Sequence, residues 1–153
     1  MAVYFIVGYM ASGKSAYGRR LAREKGLQFV DLDFYIEQRF RKTIAQIFAE
    51  EGEAEFRRKE TAMLRETGEF EDIVISCGGG TPCFDDNMDY MLGRGEVIFL
   101  DTPAATIVER LVANNSRRPL MAGKSAAEIA RETEAGLAHR MPVYRRAHRT
   151  IKG

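Results

Sequence analysis

Short apolar runs alternate with stretches of helical periodicity along the whole chain. Five runs are rich in β-branched and aromatic residues and are predicted to be strands: 3–7, 27–32, 73–77, 96–100 and the segment from 149 onward. Helices are predicted between them at 14–25, 34–41, 44–50, 53–66, 85–92, 103–113 and 125–139, with further helical turns at 142–147. This alternation predicts right-handed βαβ units and an α/β fold, in which helices cover both faces of a mostly parallel sheet.

The size and composition of the chain favour one globular domain. Its 153 residues are enough for one core and too few for two domains, so we assign 1–153 to a single domain. The net charge of +1 gives no overall signal for nucleic acid. No apolar run reaches the length of a membrane span, and we expect a cytoplasmic protein. Cys77 and Cys83 are too few for a zinc site or a disulfide framework, and reduced structural thiols are expected.

The strongest motif follows the first predicted strand directly. The segment from Gly8 to Ser15, GYMASGKS, fits the pattern G-x-x-x-x-G-K-[ST], and a helix is predicted to start at Lys14. In that context the glycines let successive backbone N–H groups point inward, toward the positive end of the helix. The product is a cradle for nucleotide phosphates. Lys14 would reach the β and γ phosphates, and the Ser15 hydroxyl would bind Mg²⁺.

Two further polar or glycine-rich segments stand at strand ends. Asp31 and Asp33 lie two residues apart at the end of the second strand, so in an extended backbone both would point to one side. One carboxylate could hold Mg²⁺ through water while the other takes a proton from an acceptor hydroxyl; alternatively, Asp33 only caps the next helix. The glycines at 78–80 permit close approach of a ligand to the backbone, or form a flexible turn.

Arginines at three places are candidates for anion binding. Arg57 shares a helix face with Glu53 and Glu60, which can orient its guanidinium for two-pronged binding of a carboxylate; the alternative is a solvated, ion-paired face. Arg140 can partner Arg57 on the same carboxylate. Arg118 lies in a basic stretch, 114–124, that is either a lid closing over ATP or a solvated loop.

Taken together and in this order, the motifs resemble those of the shikimate kinase family of P-loop proteins. The specific features are the phosphate loop, D-x-D after strand two, F-R-x-x-E, G-G-G, R-P-L and R-x-P-x-Y. The resemblance runs from residue 3 to about residue 149. It implies a three-layer α/β/α P-loop fold with a five-stranded parallel sheet of order 2-3-1-4-5 and a mobile lid. It also implies MgATP-dependent phosphorylation of the 3-hydroxyl of shikimate, on the route to chorismate and the aromatic amino acids, by a monomer.

The resemblance assigns roles to individual residues. Asp33 becomes the group that binds the shikimate hydroxyls and acts as base, Asp31 supports the metal bound by Ser15, and Arg110 stacks on adenine. The shikimate-binding segment is expected at about 33–60. The expected nucleotide contacts are Gly8, Met10, Ala11, Ser12, Gly13, Lys14, Ser15, Ala16, Arg110 and Arg118. The expected shikimate contacts are Asp33, Arg57, Gly79, Gly80 and Arg140, with Lys14 and Arg118 joining Asp33 in catalysis.

Two other functions stay open at this point. A small-metabolite kinase such as gluconate kinase shares the phosphate loop and takes a hydroxy acid, although the paired arginines with D-x-D and G-G-G favour shikimate. A nucleotide-binding module without turnover is the other alternative. Members of the family continue past strand five through an adenine-contacting loop and a final helix. This sequence stops at Gly153, so that helix is expected to be absent. Neither nucleic acid nor a membrane is an expected partner.

Overall fold

Five parallel strands form one sheet in the order β2-β3-β1-β4-β5. The structure is a computed structural model that describes residues 2–114 and 123–153. The strand order is the one that the sequence resemblance implies, so this part of the prediction is confirmed. The strands are β1 (Val3–Val7), β2 (Gln28–Asp31), β3 (Ile73–Ser76), β4 (Glu96–Asp101) and β5 (Arg149–Lys152).

Seven α-helices connect the strands within the part of the chain that the structure describes. Their starts and ends follow local signals: Gly26 ends the first helix in the left-handed conformation, at φ 70°, and capping boxes begin the third and seventh at Thr43 and Ser125. The helices are α1 (Lys14–Lys25), α2 (Leu32–Phe40), α3 (Ile44–Glu51), α4 (Glu53–Gly68), α5 (Asn87–Arg94), α6 (Ala104–Ala113) and α7 (Ala126–Tyr144). A 3₁₀ turn, Thr81–Cys83, follows the glycine segment.

Each face of the sheet carries its own apolar core. Alternate residues of β1 divide between the two, with Phe5 and Val7 on one face and Ile6 on the other. The larger core includes side chains from α2, α4 and α7, and the smaller one packs α1 through Leu21 and Ala22. Because both faces are covered, the central strands are continuously apolar, as is usual for parallel sheets.

The predicted end of the second strand is wrong by one residue, and this changes the geometry of the aspartates. Strand β2 ends at Asp31, and Leu32 and Asp33 already belong to α2. The Asp31 side chain caps that helix by accepting a hydrogen bond from the backbone N–H of Phe34, at 3.3 Å. The two carboxylates therefore do not share one side of an extended strand, and it is Asp31 that caps the helix, not Asp33. This cap satisfies an N–H group of the first helical turn, which favours a helix that begins at Leu32.

The predicted break in the last helix is also wrong. Helix α7 runs without interruption from Ala126 to Tyr144 and contains Pro142, so Arg140 lies inside a helix and not at a helix end beside a rigid turn. Proline costs a helix one N–H donor. Here the turn that contains it is held by Tyr144, which is fully buried, stacks on Phe99 at 5.0 Å between ring centroids and donates to the carbonyl of Gly79.

Across residues 2–114 and 123–153, every helix is too short or too polar to span a bilayer. The predicted lid at about 114–124, with Arg118, falls almost entirely on residues 115–122, which lie outside the described residues.

Candidate active site

The phosphate loop lies at the carboxyl end of β1, where the central strands open into a cleft. Gly13 adopts φ 95°, a conformation that favours glycine, at the start of α1. At Gly8, an added Cβ would come within 2.9 Å of the Leu100 carbonyl oxygen, so a side chain does not fit there. The Lys14 side chain is buried, and its Nζ donates to the carbonyl of Tyr9 at 2.9 Å.

Two residues from the β4 end of the sheet hold this loop from outside. The buried hydroxyl of Thr102 donates to the Ser12 carbonyl at 2.7 Å, and Arg110 Nη1 donates to the Ala11 carbonyl at 2.9 Å. Ala11 itself has φ 60°, which is unusual for a residue other than glycine. The loop is therefore held in a cradle conformation by contacts to side chains as well as by its own glycines.

Polar groups from three elements meet where the metal was expected. Ser15 Oγ donates to Asp31 Oδ2 at 2.8 Å and lies 3.4 Å from the hydroxyl of Ser76. The register explains the meeting, because Asp31 and Ser76 are paired at the ends of β2 and β3. Among the described residues, no group of three or more His, Cys, Asp or Glu side chains is arranged so that it could hold a metal ion by itself. One carboxylate and two hydroxyls suit Mg²⁺ bound largely by water and phosphate oxygens, so these residues fit the expected ion.

Asp33 occupies an acidic, desolvated position beside the glycine segment. A Cβ added at Gly78 would lie 3.0 Å from Asp33 Oδ1 and 3.3 Å from Glu60 Oε2, so both carboxylates surround this glycine. Burial raises the pKa of Asp33 to about 6; the carboxylates of Glu60 and Asp31 add to the rise and Lys14 opposes it. A carboxyl group with this pKa is ionised at neutral pH and is still basic enough to accept a proton.

Arg57 is held by the two glutamates that share its helix face. Its Nη1 donates to Glu60 Oε1 at 2.9 Å, and its Nε and Nη2 donate to Glu53 Oε2 at 3.4 Å. Glu60 is 1% exposed and also accepts from the Thr81 hydroxyl at 2.7 Å. The guanidinium is therefore anchored in one orientation rather than solvated on an open helix face.

Arg140 reaches the same glycine segment from α7. Its guanidinium lies over the ring of Tyr9, at 5.5 Å from the ring centroid. A Cβ added at Gly79 would lie 3.2 Å from Arg140 Nη1 and 3.2 Å from the backbone nitrogen of Met10. The second guanidinium thus stands next to the phosphate loop.

A cavity of about 430 Å³ lies between the phosphate loop, the two aspartates and the glycine segment. It is lined by seven of the predicted nucleotide contacts, by Asp31 and Asp33, and by Gly79, whereas Arg57, Gly80 and Arg140 lie beside it, against the glycine segment. Gly8 and Ser12 belong to the phosphate loop but do not line the cavity. Arg118 lies outside the described residues. The lining residues are Met10, Ala11, Gly13, Lys14, Ser15, Ala16, Asp31, Asp33, Ser76, Cys77, Gly78, Gly79, Arg110 and Asn114.

Comparison with protein families gives one result across nearly the whole chain. The model of the family described as shikimate kinase matches residues 10–153. This chain belongs to the shikimate kinase family. A shikimate kinase from Phocaeicola vulgatus is 47% identical over 152 residues, covering 99% of this chain and 87% of its relative.

Solved structures of shikimate kinases have the same fold as this family member. The enzyme from Bacteroides thetaiotaomicron superposes with a TM-score of 0.95 at 41% identity, covering 99% of this chain and 86% of the other. The Acinetobacter baumannii shikimate kinase, whose structure is a complex with shikimate, gives 0.91 at 34% identity, with 100% and 84% coverage. A Sinorhizobium meliloti gluconokinase gives 0.51 at 19% identity, over 96% of this chain and 98% of that one, which shows a shared fold alone.

Sequence reasoning did not find several residues of this shikimate kinase family site. Ser76 ends an apolar strand with a hydroxyl, which is a usable signal, but its proximity to Ser15 depends on strand register. Thr102 contacts a carbonyl of the phosphate loop, and Tyr144, which the sequence offered only as the end of the R-x-P-x-Y motif, contacts the carbonyl of Gly79, both across long stretches of sequence. Such contacts leave no local pattern, because they arise only when β4 and α7 pack beside β1.

Proposed function

We propose that this chain transfers the γ-phosphoryl group of ATP to the 3-hydroxyl of shikimate, giving shikimate 3-phosphate on the route to chorismate. The observation that carries the proposal is the meeting of Arg57 and Arg140 at neighbouring glycines, beside a phosphate loop and an aspartate, Asp33, with a raised pKa. Paired guanidiniums suit a small carboxylate, and the aspartate suits an alcohol. Family membership and the shikimate complex of the Acinetobacter relative support the same substrate.

In the proposed reaction the protein positions the reactants and balances charge. The backbone N–H groups of the loop and Lys14 would hold the ATP phosphates, while Ser15, supported by Asp31, would hold Mg²⁺. When bound, Mg²⁺ neutralises charge that develops on the phosphate oxygens. Asp33 orients the shikimate hydroxyl and accepts its proton as the new O–P bond forms and the bond to ADP breaks. Arg57, Arg140, Gly79 and Gly80 hold the carboxylate end, which keeps the hydroxyl in line with the γ phosphate.

The remaining expectations belong to the same proposal. Arg110, which lies against Ala11 at the cavity wall, is proposed to stack on adenine, and Arg118 to contact the phosphates from the lid. A cytoplasmic location, a monomeric state and the single domain over 1–153 stay predictions. Gluconate phosphorylation and nucleotide binding without turnover are not favoured, because the identified relatives at high identity are shikimate kinases.

An ADP-release assay tests the proposal directly. The chain is incubated with MgATP and, in separate reactions, shikimate, gluconate or a nucleoside monophosphate. Shikimate alone should stimulate ADP release well above the rate with ATP only, and the phosphorylated product should appear in equal amount. Stimulation by gluconate would favour the rival kinase, whereas ATP binding without stimulation by any acceptor would favour the non-catalytic module.

A further inference from the structure

The guanidinium of Arg57 lies over an aromatic ring. The ring of Phe84 lies 3.9 Å from Arg57 Cζ, nearer than the ring of the adjacent Phe56, at 5.1 Å. Cation–π attraction is strongest when the cation is desolvated, and the Arg57 side chain is only 16% exposed. The ring therefore stabilises the guanidinium in this position without using any of its N–H donors.

The position of Phe84 is set by the same network that anchors Arg57. Phe84 directly follows the 3₁₀ turn at Thr81–Cys83, and its carbonyl accepts from the Asn87 backbone N–H at 3.2 Å. That turn is attached to Glu60 through the Thr81 hydroxyl, and Glu60 binds Arg57 with its other oxygen. The Arg57 guanidinium binds the buried Glu60 carboxylate directly, and the Phe84 ring is attached to it through the turn at Thr81. Their relative position is therefore well defined.

Counting donors shows what this arrangement leaves for a ligand. A guanidinium has five N–H groups. Within the described part of the chain, Glu53 accepts from Nε and Nη2, and Glu60 from Nη1. One N–H on Nη1 and one on Nη2 remain, and these two nitrogens lie against Gly80, where an added Cβ would be 3.0 Å from each. Two N–H groups, one on each terminal nitrogen, match the two oxygens of a carboxylate in number.

We propose that Phe84 is a positioning residue that holds the Nη1 and Nη2 end of Arg57 toward the carboxylate of the acceptor substrate. Without the ring, the guanidinium is expected to tilt about its contacts with the two glutamates, which turns the two remaining N–H groups away from Gly80. This inference rests on the proposed function, since it assumes that Arg57 binds the acceptor. It adds that a residue with no hydrogen-bonding group sets the selectivity of the site for an acid.

Steady-state kinetics of four variants tests this role. Phe84→Leu and Phe84→Met remove the aromatic face but keep an apolar side chain, Phe84→Tyr restores the ring, and Phe29→Leu is the matched control. Phe29 carries Arg19 at 4.9 Å from its ring centroid in the other core, remote from the glycine segment. Each variant is assayed with shikimate and with its uncharged methyl ester, and its thermal unfolding midpoint is recorded.

The leucine and methionine variants should raise the KM for shikimate about five- to tenfold while changing the KM for ATP less than twofold. Their KM for the methyl ester should stay close to the wild-type value, so the preference for acid over ester falls by the same factor. Phe84→Tyr should restore the wild-type KM, and Phe29→Leu should not change it. Unchanged shikimate KM in a folded Phe84 variant, an equal rise for acid and ester, or failure of tyrosine to restore it overturns the inference. Absence of turnover by the wild-type protein instead overturns the proposed function.

Discussion

Arg57 and Arg140 come from helices far apart in the sequence and meet the glycine segment at consecutive residues. An added Cβ would lie 3.0 Å from Arg57 Nη1 at Gly80 and 3.2 Å from Arg140 Nη1 at Gly79. Two guanidiniums so placed repel each other unless anions balance them. Glu53 and Glu60 supply that balance for Arg57, and a bound carboxylate is expected to complete it.

Replacing Arg57 by lysine tests this relationship. Lysine keeps the charge but loses the planar fork, so Arg57→Lys should raise the KM for shikimate about tenfold with little change in the KM for ATP. Arg58→Lys is the control, because Arg58 is exposed and pairs only with Glu55 in the described structure. A rise confined to the KM for ATP would contradict a role in binding the acceptor.

Glycine 80 provides a steric test of the same contact. In Gly80→Ala the new methyl group would crowd both terminal nitrogens of Arg57, whose side chain must then shift. We expect a higher KM for shikimate and little loss of stability. Gly93→Ala is the matched control, since an added Cβ there meets nothing within 4 Å and Gly93 lies in α5. It should leave kinetics unchanged and stabilise the protein by about 0.5–1 kcal/mol in urea unfolding.

The positions of the strands and the phosphate loop were predictable because each depends on local or repetitive signals, whereas the order of the strands came from the family resemblance. The motif from Gly8 to Ser15 fixes a strand, a turn and a helix within a few residues, and apolar runs mark the strands. The end of β2 was not predictable to one residue, because Leu32 is apolar in either a strand or a helix. The continuity of α7 depends on the burial of Tyr144 and was hidden by the local preference of Pro142.

The raised pKa of Asp33 predicts how the stability of the protein depends on pH. The folded-state pKa is about 6 against an ordinary value of 3.8, so between these values the folded protein holds a proton that the unfolded chain does not. Stability should therefore fall as pH rises from about 4 to 6, by at most about 3 kcal/mol. Above pH 6 the buried charge remains a cost.

Asp33→Asn removes that charge and the proposed base together. Its free energy of unfolding should exceed that of the wild type at pH 7 and lose the dependence on pH between 4 and 6, while kcat should fall about 100-fold or more. In the wild type, kcat/KM should decline below pH 6 as Asp33 is protonated. Glu24→Gln, which alters an exposed carboxylate on α1, is the control. An unchanged kcat in Asp33→Asn would remove this residue from the mechanism.

Asp31 caps α2 and is proposed to support the metal, and one substitution separates the two roles. Asparagine can still accept the hydrogen bond from Phe34 that caps α2, but it lacks the negative charge. Asp31→Asn should therefore unfold near the wild-type temperature and need about tenfold more Mg²⁺ for half-maximal activity. Asp31→Ala should show the same Mg²⁺ requirement and also lose about 1 kcal/mol of stability with the cap. A wild-type Mg²⁺ dependence in both variants would contradict a role in metal binding.

Thr102 predicts a defect on the nucleotide side alone. Its buried hydroxyl donates to the Ser12 carbonyl at 2.7 Å, and this contact links the end of β4 to the phosphate loop. Thr102→Val keeps the shape and removes the donor, which leaves that carbonyl without this partner and frees the loop to move. Loss of a hydrogen bond worth about 1 kcal/mol corresponds to a rise of about fivefold in the KM for ATP. Because Arg57 and Arg140 lie against Gly80 and Gly79, and not against Ser12, the KM for shikimate should stay constant. Thr106→Val, a substitution of the same type on α6, is the control and should leave both KM values unchanged. If Thr102→Val raises the KM for shikimate more than the KM for ATP, the two binding regions are not separable in this way.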